Sequence, residues 1–123
     1  MCYTNKSWLS ASIIVAGWDK YEGGQIYACP AGATLAEKVP FALGGSGSSY
    51  IYGYVDANFK DNKDWDQVKA RTMIRRAISH SIYRDGSSGG IIRTCSITKN
   101  GLFRQTNEPF DIEKVAGPFQ PEM

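Results

Sequence analysis

The sequence has no long apolar run, so its hydrophobic pattern predicts no membrane-spanning helix. Runs such as residues 13–16 are far shorter than the roughly 20 residues that cross a bilayer. No charged segment followed by an apolar stretch opens the chain, so the sequence gives no indication of secretion. We therefore expect no membrane partner.

The sequence also lacks a strong excess of charge of one sign. Fourteen basic and twelve acidic residues give a formal net charge of +2. Nucleic-acid binding usually requires a concentrated basic stripe, and we expect no nucleic-acid partner. The basic residues Lys69, Arg71, Arg75 and Arg76 cluster on a predicted helix, where we expect them to form a solvated face.

Cysteine and histidine are both scarce. The three cysteines, Cys2, Cys29 and Cys95, have no close spacing, and His80 is the single histidine. This set indicates neither a disulfide framework nor a zinc site. Buried, reduced thiols in a cytosolic or nuclear protein are the default expectation, and we expect no metal and no cofactor.

What the sequence does contain is sufficient for one folded domain. Its 123 residues are 42% apolar and 12% aromatic, unlike a disordered chain. A chain of this length buries roughly two thirds of the surface that its unfolded form exposes, which supports one hydrophobic core. We treat residues 1–123 as a single domain whose last part, 106–123, is an irregular tail containing Pro109, Pro118 and Pro121.

The first part of the chain is predicted to form strands. Residues 10–19 carry an apolar block typical of a well-buried strand. Residues 25–29 alternate like a half-buried strand, and the turn predicted at 22–24 would join the two as an antiparallel hairpin. A short extended piece is expected near Thr34 and Leu35.

Two helices are predicted next. Residues 48–59 have helical spacing, and Gly53 among them predicts close packing against a neighbour, because glycine costs a helix about 1 kcal/mol relative to alanine. Asp64 is predicted to cap a second helix that ends near Tyr83 or Arg84, before the glycine-rich residues 86–90. Its predicted apolar stripe comprises Val68, Met73, Ile74, Ala77, Ile78 and Ile82.

The last predicted elements are two strands, residues 91–98 and 102–105, joined by an Asn-Gly turn. The order of strands, two helices and strands predicts an α+β fold. It argues against a parallel sheet built from repeated βαβ units.

Two glycine-rich motifs are candidates for chemistry. Residues 45–47, Gly-Ser-Gly, lead into a helix and could hold an anion on backbone N–H groups. They lack the third glycine of a dinucleotide site and the lysine of a phosphate loop, so a small nucleotide-binding module using residues 44–49 is a distant alternative. Residues 86–90 match Gly-x-Ser-x-Gly, but a helix enters and a strand leaves, the reverse of a nucleophile elbow. A Ser–His hydrolase that uses His80 is disfavoured accordingly.

Asp85 stands at a predicted helix C-terminus, where the helix dipole disfavours a carboxylate. Such an acid usually has a compensating partner. Composition and spacing leave two interpretations open: a local structural bond, or a carboxylate aimed at a catalytic group.

Four segments are characteristic when taken together: residues 16–19 (Ala-Gly-Trp-Asp), 22–25 (Glu-Gly-Gly-Gln), 41–56 and 84–90. They resemble the C-terminal half of a proteasome beta subunit, and most closely the caspase-like (beta type-1) class. The resemblance extends over about residues 1–105.

This resemblance implies the N-terminal nucleophile hydrolase fold, a four-layer αββα sandwich, of which the chain would form the C-terminal half. It implies a place in the beta ring of the proteasome core particle, beside other alpha and beta subunits in stacked heptameric rings. The implied activity is threonine-type endopeptidase cleavage of protein substrates in ubiquitin-dependent degradation, in cytoplasm and nucleus.

In the family, a threonine at the mature N-terminus is the nucleophile, and its α-amine acts with a lysine and an aspartate. These residues belong to the family's N-terminal half, and Thr4 matches a mid-chain loop instead. We therefore expect the chain alone to be inactive. A non-catalytic or truncated beta subunit that acts only in assembly is the alternative.

The resemblance does carry over the residues that support the family's site. Ser46, Asp85 and Ser88 match residues around the threonine and its amine, and Gly45 and Gly47 would allow close backbone approach. It also implies that the strand at residues 10–19 pairs with the family's other half. In this chain by itself, we expect Ile13, Ile14 and Val15 to be less buried than their hydrophobicity warrants.

Overall fold

Strands, then helices, then strands follow one another in the computed structural model, which describes residues 4–5, 7–33, 35–60 and 65–107. A 3₁₀ turn, Ser46–Tyr50, precedes the first helix. This order confirms the predicted α+β class. The elements are β1 (Ile13–Asp19), β2 (Gly23–Cys29), β3 (Glu37–Lys38), α1 (Tyr52–Lys60), α2 (Gln67–Arg84), β4 (Ile92–Thr98) and β5 (Gly101–Asn107).

The chain divides into two compact units. One contains the chain up to Gly44 together with Ile97–Leu102, and the other contains Gly45–Ser96 and the chain from Phe103 onward. The first unit holds the sheet β1-β2-β3, and the second holds both helices.

The predicted hairpin at the start of the chain is confirmed, with a shifted turn. β1 and β2 pair antiparallel from Ile13 opposite Cys29 to Asp19 opposite Gly23. The turn occupies residues 20–22 and not 22–24, because the Asp19 carboxylate accepts the N–H groups of Tyr21 and Glu22 and closes the turn early.

The short third strand lies later than predicted. β3 pairs antiparallel with β2, where Glu37 lies opposite Ala28 and Lys38 opposite Tyr27. Leu35 precedes β3, and Thr34 lies outside the described residues.

β1 is an exposed strand. Ile13 is 51%, Ile14 45% and Val15 57% exposed, so side chains on both faces meet solvent. The interpretation of a well-buried strand is wrong for this chain, and the expectation of reduced burial at these three residues is confirmed. Among the described strands, β1 also lies at the edge of its sheet.

The second unit contains the buried core. Ile51 and Val55 lie one turn apart around the start of α1, and they are buried together with Ala77 of α2 and Ile92 of β4. These four side chains are 2–4% exposed.

Gly53 does not pack against a neighbour. It is exposed, and a Cβ added there would meet nothing within 4 Å. The prediction of close packing at this position is wrong, since the buried side of α1 is formed by Val55 and not by the glycine.

The N-cap of α2 lies two residues after the predicted cap. Asp64 lies outside the described residues, and the N-cap is Asp66, whose Oδ1 accepts the Lys69 N–H at 2.7 Å. The helix ends at Arg84, as predicted.

The face that α2 buries agrees only in part with the predicted apolar stripe. Ala77 is buried as predicted and Ser81 is buried as well, whereas Val68, Ile74 and Ile78 of the predicted stripe are exposed. Ser81 is small enough for Gly47 of the 3₁₀ turn to lie directly against it.

The basic cluster of α2 is not uniformly solvated. Arg71 donates to Gln105 Oε1 at 2.8 Å and to Ser96 Oγ at 3.3 Å, and its guanidinium lies 4.7 Å from the centre of the Phe103 ring. Within the described part of the chain, Nε and Nη2 of Arg75 are buried without a hydrogen-bond partner. The prediction of a solvated face is therefore wrong for these two arginines.

β4 and β5 form the predicted final hairpin. β5 continues to Asn107, so the predicted irregular tail starts later than residue 106, and residues 108–123 lie outside the described residues.

The cysteines are free thiols where the structure describes them. Cys29 is half-buried and Cys95 is exposed, so the prediction of a buried thiol is wrong for Cys95; Cys2 lies outside the described residues. No helix in the described ranges is long and apolar enough to span a bilayer.

Candidate functional site

Asp85 is placed by the end of α2. It is the C-cap of the helix, and its N–H donates to the Ser81 carbonyl at 2.8 Å. Its backbone is extended, with φ −102° and ψ 115°, so the helix cannot continue through it. This geometry fixes the backbone from which the carboxylate projects.

Ser46, Asp85 and Ser88 form one hydrogen-bonded group, here called the Asp85 cluster. The Ser88 hydroxyl donates to Asp85 Oδ2 at 2.6 Å, and the Ser46 hydroxyl donates to the same oxygen at 2.7 Å. The Ser87 N–H donates to the other oxygen, Oδ1, at 3.2 Å. The structure thus brings together the three side chains that the sequence singled out as supporting residues.

These donors favour the ionised form of Asp85. The Ser88 hydroxyl, followed by the Ser46 hydroxyl and the Ser87 N–H, holds the pKa of Asp85 below its usual range. Because the folded-state pKa is lowered, this carboxylate contributes stability above its unfolded-state pKa. That contribution is lost as the pH falls through the folded-state pKa.

The two glycines beside Ser46 have different tasks. Gly47 is buried, and a Cβ added there would lie 1.9 Å from Ser81 Oγ and 3.0 Å from both Asp85 Oδ2 and Ser88 Oγ. Gly45 has open space around it but a φ of +96°, a region that side-chain-bearing residues rarely adopt. Close backbone approach therefore applies to Gly47, whereas Gly45 provides the backbone conformation that starts the 3₁₀ turn.

The serine-hydrolase geometry is not formed. His80 stacks on the Tyr54 ring, with 4.7 Å between ring centres. The Ser88 hydroxyl is donated to Asp85, so it is not held by an imidazole base. A Ser–His pair needs a direct hydrogen bond between nucleophile and base, and this arrangement does not supply one.

The geometry also disfavours the nucleotide-binding interpretation, because no α-helix starts directly after Gly45. Residues after Gly45 form a five-residue 3₁₀ turn and not the first turn of α1. A phosphate site of this type depends on several N–H groups aligned at an α-helix N-terminus. The Ser48 N–H and hydroxyl both point back to the Gly45 carbonyl, which uses donors that a phosphate would need.

A second polar group, in the first unit, was not predicted as a hydrogen-bonded network. Asp19 accepts the N–H groups of Tyr21 and Glu22 and the side-chain amide of Gln25. The Glu22 N–H, then the Tyr21 N–H, hold the pKa of Asp19 below its usual range. The signal was available, since an aspartate at the start of a turn commonly accepts N–H groups two and three residues on. This group stabilises the β1–β2 turn.

Ser81 is the residue at the site that sequence reasoning missed. It is 7% exposed and lies against Gly47. Its place in a predicted apolar helix gave no signal, because its contact is with residues far away in the sequence. Within the described ranges, no three His, Cys, Asp or Glu residues group as metal ligands would.

Comparison with known proteins gives a consistent family. A family model described as "Proteasome subunit" matches residues 1–97. The chain is 49% identical over 104 residues to a protein named proteasome subunit beta type-6 of Arabidopsis thaliana, covering 85% of this chain and 43% of the relative.

Two further relatives carry related names. The chain is 41% identical over 115 residues to proteasome subunit beta type-1 of Saccharomyces cerevisiae, covering 94% of this chain and 52% of the relative. It is 46% identical over 100 residues to proteasome subunit beta type-9 of Bos taurus, covering 81% and 44% respectively. The chain therefore spans about half the length of the curated relatives that it matches.

Proposed function

Because the chain belongs to the proteasome subunit family, we propose that it forms part of a beta subunit of the proteasome core particle. In this proposal it contributes to threonine-type peptide hydrolysis. The observation that carries the proposal is the Asp85 cluster, in which one ionised carboxylate accepts the hydroxyls of Ser46 and Ser88.

The chemistry that this cluster supports is charge and orientation beside an amine. An ionised carboxylate favours a protonated amine nearby, because opposite charges within a few ångströms stabilise each other. In a threonine peptidase the α-amine takes the proton of the threonine hydroxyl as that hydroxyl attacks the peptide carbonyl. Asp85 would stabilise the protonated amine, while Ser46 and Ser88 hold the carboxylate in one orientation.

The nucleophilic threonine and the lysine beside it would come from residues outside this sequence. The chain spans about half the length of its relatives, and by resemblance Thr4 matches a mid-chain loop and not the nucleophile. We therefore propose that residues 1–123 alone hydrolyse no peptide.

We infer the wider setting by analogy with the family. The complete domain would be the four-layer αββα sandwich of the N-terminal nucleophile hydrolases, with the described sheets and helices as part of its layers. Its partners would be alpha and beta subunits in stacked heptameric rings. Its substrates would be proteins degraded in cytoplasm and nucleus, including ubiquitin-dependent substrates.

A second candidate is a non-catalytic beta subunit that acts only in assembly. The observation that favours it is that Ser46, Ser87 and Ser88 of the chain itself donate to the Asp85 carboxylate, which is sufficient for a purely structural role. In that case the Asp85 cluster would only join the 3₁₀ turn to the end of α2.

The test is to express the affinity-tagged chain in cells of its source and to separate the lysate by size. We expect the tagged chain to co-purify with alpha and beta ring subunits, identified by mass spectrometry. Recovery of the chain without any ring subunit would contradict the proposal.

A peptidase assay on core particles that carry the complete subunit, tagged in the same way, separates the two candidates. Turnover of a fluorogenic peptide with an acidic residue before the cleaved bond, blocked by a threonine-directed boronate, should fall when Asp85→Asn is introduced. Particles that assemble with the tagged complete subunit but show no response to Asp85→Asn would favour the assembly-only candidate.

A further inference from the structure

Ser81 joins both halves of the Asp85 cluster. Its carbonyl accepts the Asp85 N–H at 2.8 Å, which fixes the backbone of the carboxylate. Its hydroxyl oxygen occupies the space where residue 47 would carry a side chain, 1.9 Å from the ideal Cβ position. Ser81 therefore contacts the 3₁₀ turn that carries Ser46, and it also accepts the backbone hydrogen bond of Asp85, to which Ser46 donates.

We propose that Ser81 is a positioning residue, which seats Gly47 against α2 and so keeps the Ser46 hydroxyl within hydrogen-bond distance of Asp85. Ser46 precedes Gly47 directly, so a displacement of the glycine moves the serine with it. The hydrogen bond between Ser46 and Asp85 is 2.7 Å long, and a donor displaced by an ångström would no longer make a normal bond.

The contact limits the size of residue 81 and not its polarity. The close approach of Gly47 to α2 does not require a hydrogen bond of the Ser81 hydroxyl, because the close neighbour of its oxygen is the glycine itself. Alanine at position 81 would preserve the close approach of Gly47 to α2, whereas a branched side chain would enter the space that Gly47 occupies. Cores tolerate added methyl groups poorly where packing is already close.

The relation between the two positions gives a matched set of variants. Gly47→Ala places a Cβ against the Ser81 oxygen, and Ser81→Ala removes that oxygen. In the double variant the 1.9 Å contact is gone, but the 3.0 Å contacts to Asp85 Oδ2 and Ser88 Oγ remain. The double variant should therefore recover part of what Gly47→Ala loses.

The readout is the titration of the Asp85 carboxyl carbon by NMR in the full 123-residue chain. We expect Ser81→Ala to leave the Asp85 pKa lowered, and Ser81→Val and Gly47→Ala to raise it toward its ordinary value, because the Ser46 bond is lost. In the double variant, Gly47→Ala with Ser81→Ala, we expect the Asp85 pKa to lie between its values in the wild-type chain and in Gly47→Ala. Hydrogen exchange of α2 amides in each variant reports whether the helix is intact.

A loss of stability alone would not produce this pattern. If Ser81→Val or Gly47→Ala keeps the lowered Asp85 pKa with an intact α2, the positioning role is wrong. If Ser81→Val fails to fold, the test is the comparison of Gly47→Ala alone with Gly47→Ala combined with Ser81→Ala. Equal Asp85 pKa values in these two variants would also contradict the positioning role.

The catalytic relevance of this role rests on the proposed function, and a second readout keeps the two apart. In core particles that carry the complete subunit, Ser81→Val should lower kcat with KM little changed, while Ser81→Ala should retain kcat. An Asp85 pKa that responds as expected in the chain, without any change of kcat in particles, would contradict the proposed function and leave the positioning role standing.

Discussion

At the scale of single residues, two glycines of the second unit have opposite uses. Gly47 is required because its missing side chain leaves room for Ser81, Asp85 and Ser88, whereas Gly53 lies exposed on α1 with open space around it. A helical glycine without a packing role only weakens its helix.

We therefore predict that Gly53→Ala stabilises α1 by about 1 kcal/mol. Hydrogen exchange of α1 amides in the isolated chain should slow by about fivefold. The control is Gly47→Ala, which should have no such benefit. Faster exchange in Gly53→Ala would show that the exposed surface of α1 is covered in solution.

The site residues could be predicted only in part from the sequence. Ser46, Asp85 and Ser88 were identified through the family resemblance, because their motifs are contiguous in sequence. Ser81 was not, since its importance comes from a contact with Gly47, 34 positions away. A close approach between two segments leaves no periodic signal in either of them.

At the scale of elements, α2 shows what the hydrophobic pattern can and cannot predict. Its limits were predicted within a few residues, because capping residues and the following glycines are local signals. Its buried face was predicted only in part. Ala77 is buried as predicted, whereas Ser81 is buried outside the predicted stripe and Arg71 is half-buried by bonds to β4 and β5.

The two half-buried arginines of α2 should respond oppositely to the same substitution. Arg75→Met removes buried donors that lack partners in the described structure, and we expect it to stabilise α2 by about 1 kcal/mol. Arg71→Met removes the bonds to Gln105 and Ser96 and the contact with Phe103, and should destabilise α2 by a similar amount. Amide exchange of α2 measures both.

The contrast between the two variants is the informative quantity. Both remove one positive charge and keep a long apolar side chain, so a general effect of charge would be shared. Equal destabilisation by Arg75→Met and Arg71→Met would mean that Arg75 has a partner in solution, and would contradict the prediction.

At the scale of the whole molecule, the exposed strand β1 is the main liability. Its apolar side chains meet solvent on both faces, and it lies at the edge of its sheet in the described structure. Unpaired apolar edges associate with other chains. We expect the isolated chain to bind hydrophobic dyes, to unfold with poor cooperativity and to associate as its concentration rises.

A matched pair of valines tests whether β1 causes this behaviour. Val15→Lys on β1 should reduce dye binding and association, whereas Val68→Lys on α2 should change them less, although Val68 is 72% and Val15 57% exposed. Equal effects of the two variants would show that exposed apolar area in general, and not the strand edge, drives association. A sharp monomeric melt without dye binding at tens of micromolar would contradict the prediction for the wild-type chain.

The central claim is that the Asp85 cluster supports a threonine nucleophile in an assembled beta subunit, and one comparison tests it most directly. Peptidase turnover is measured in core particles whose complete subunit carries either Asp85→Asn or His80→Ala. Hydrogen bonds to a charged group contribute about 1.5–3 kcal/mol, so Asp85→Asn should lower turnover roughly 10- to 100-fold. His80→Ala should leave turnover nearly unchanged, because His80 stacks on the Tyr54 ring in the described structure. The reverse ranking, with His80→Ala abolishing turnover and Asp85→Asn retaining it, would contradict the account.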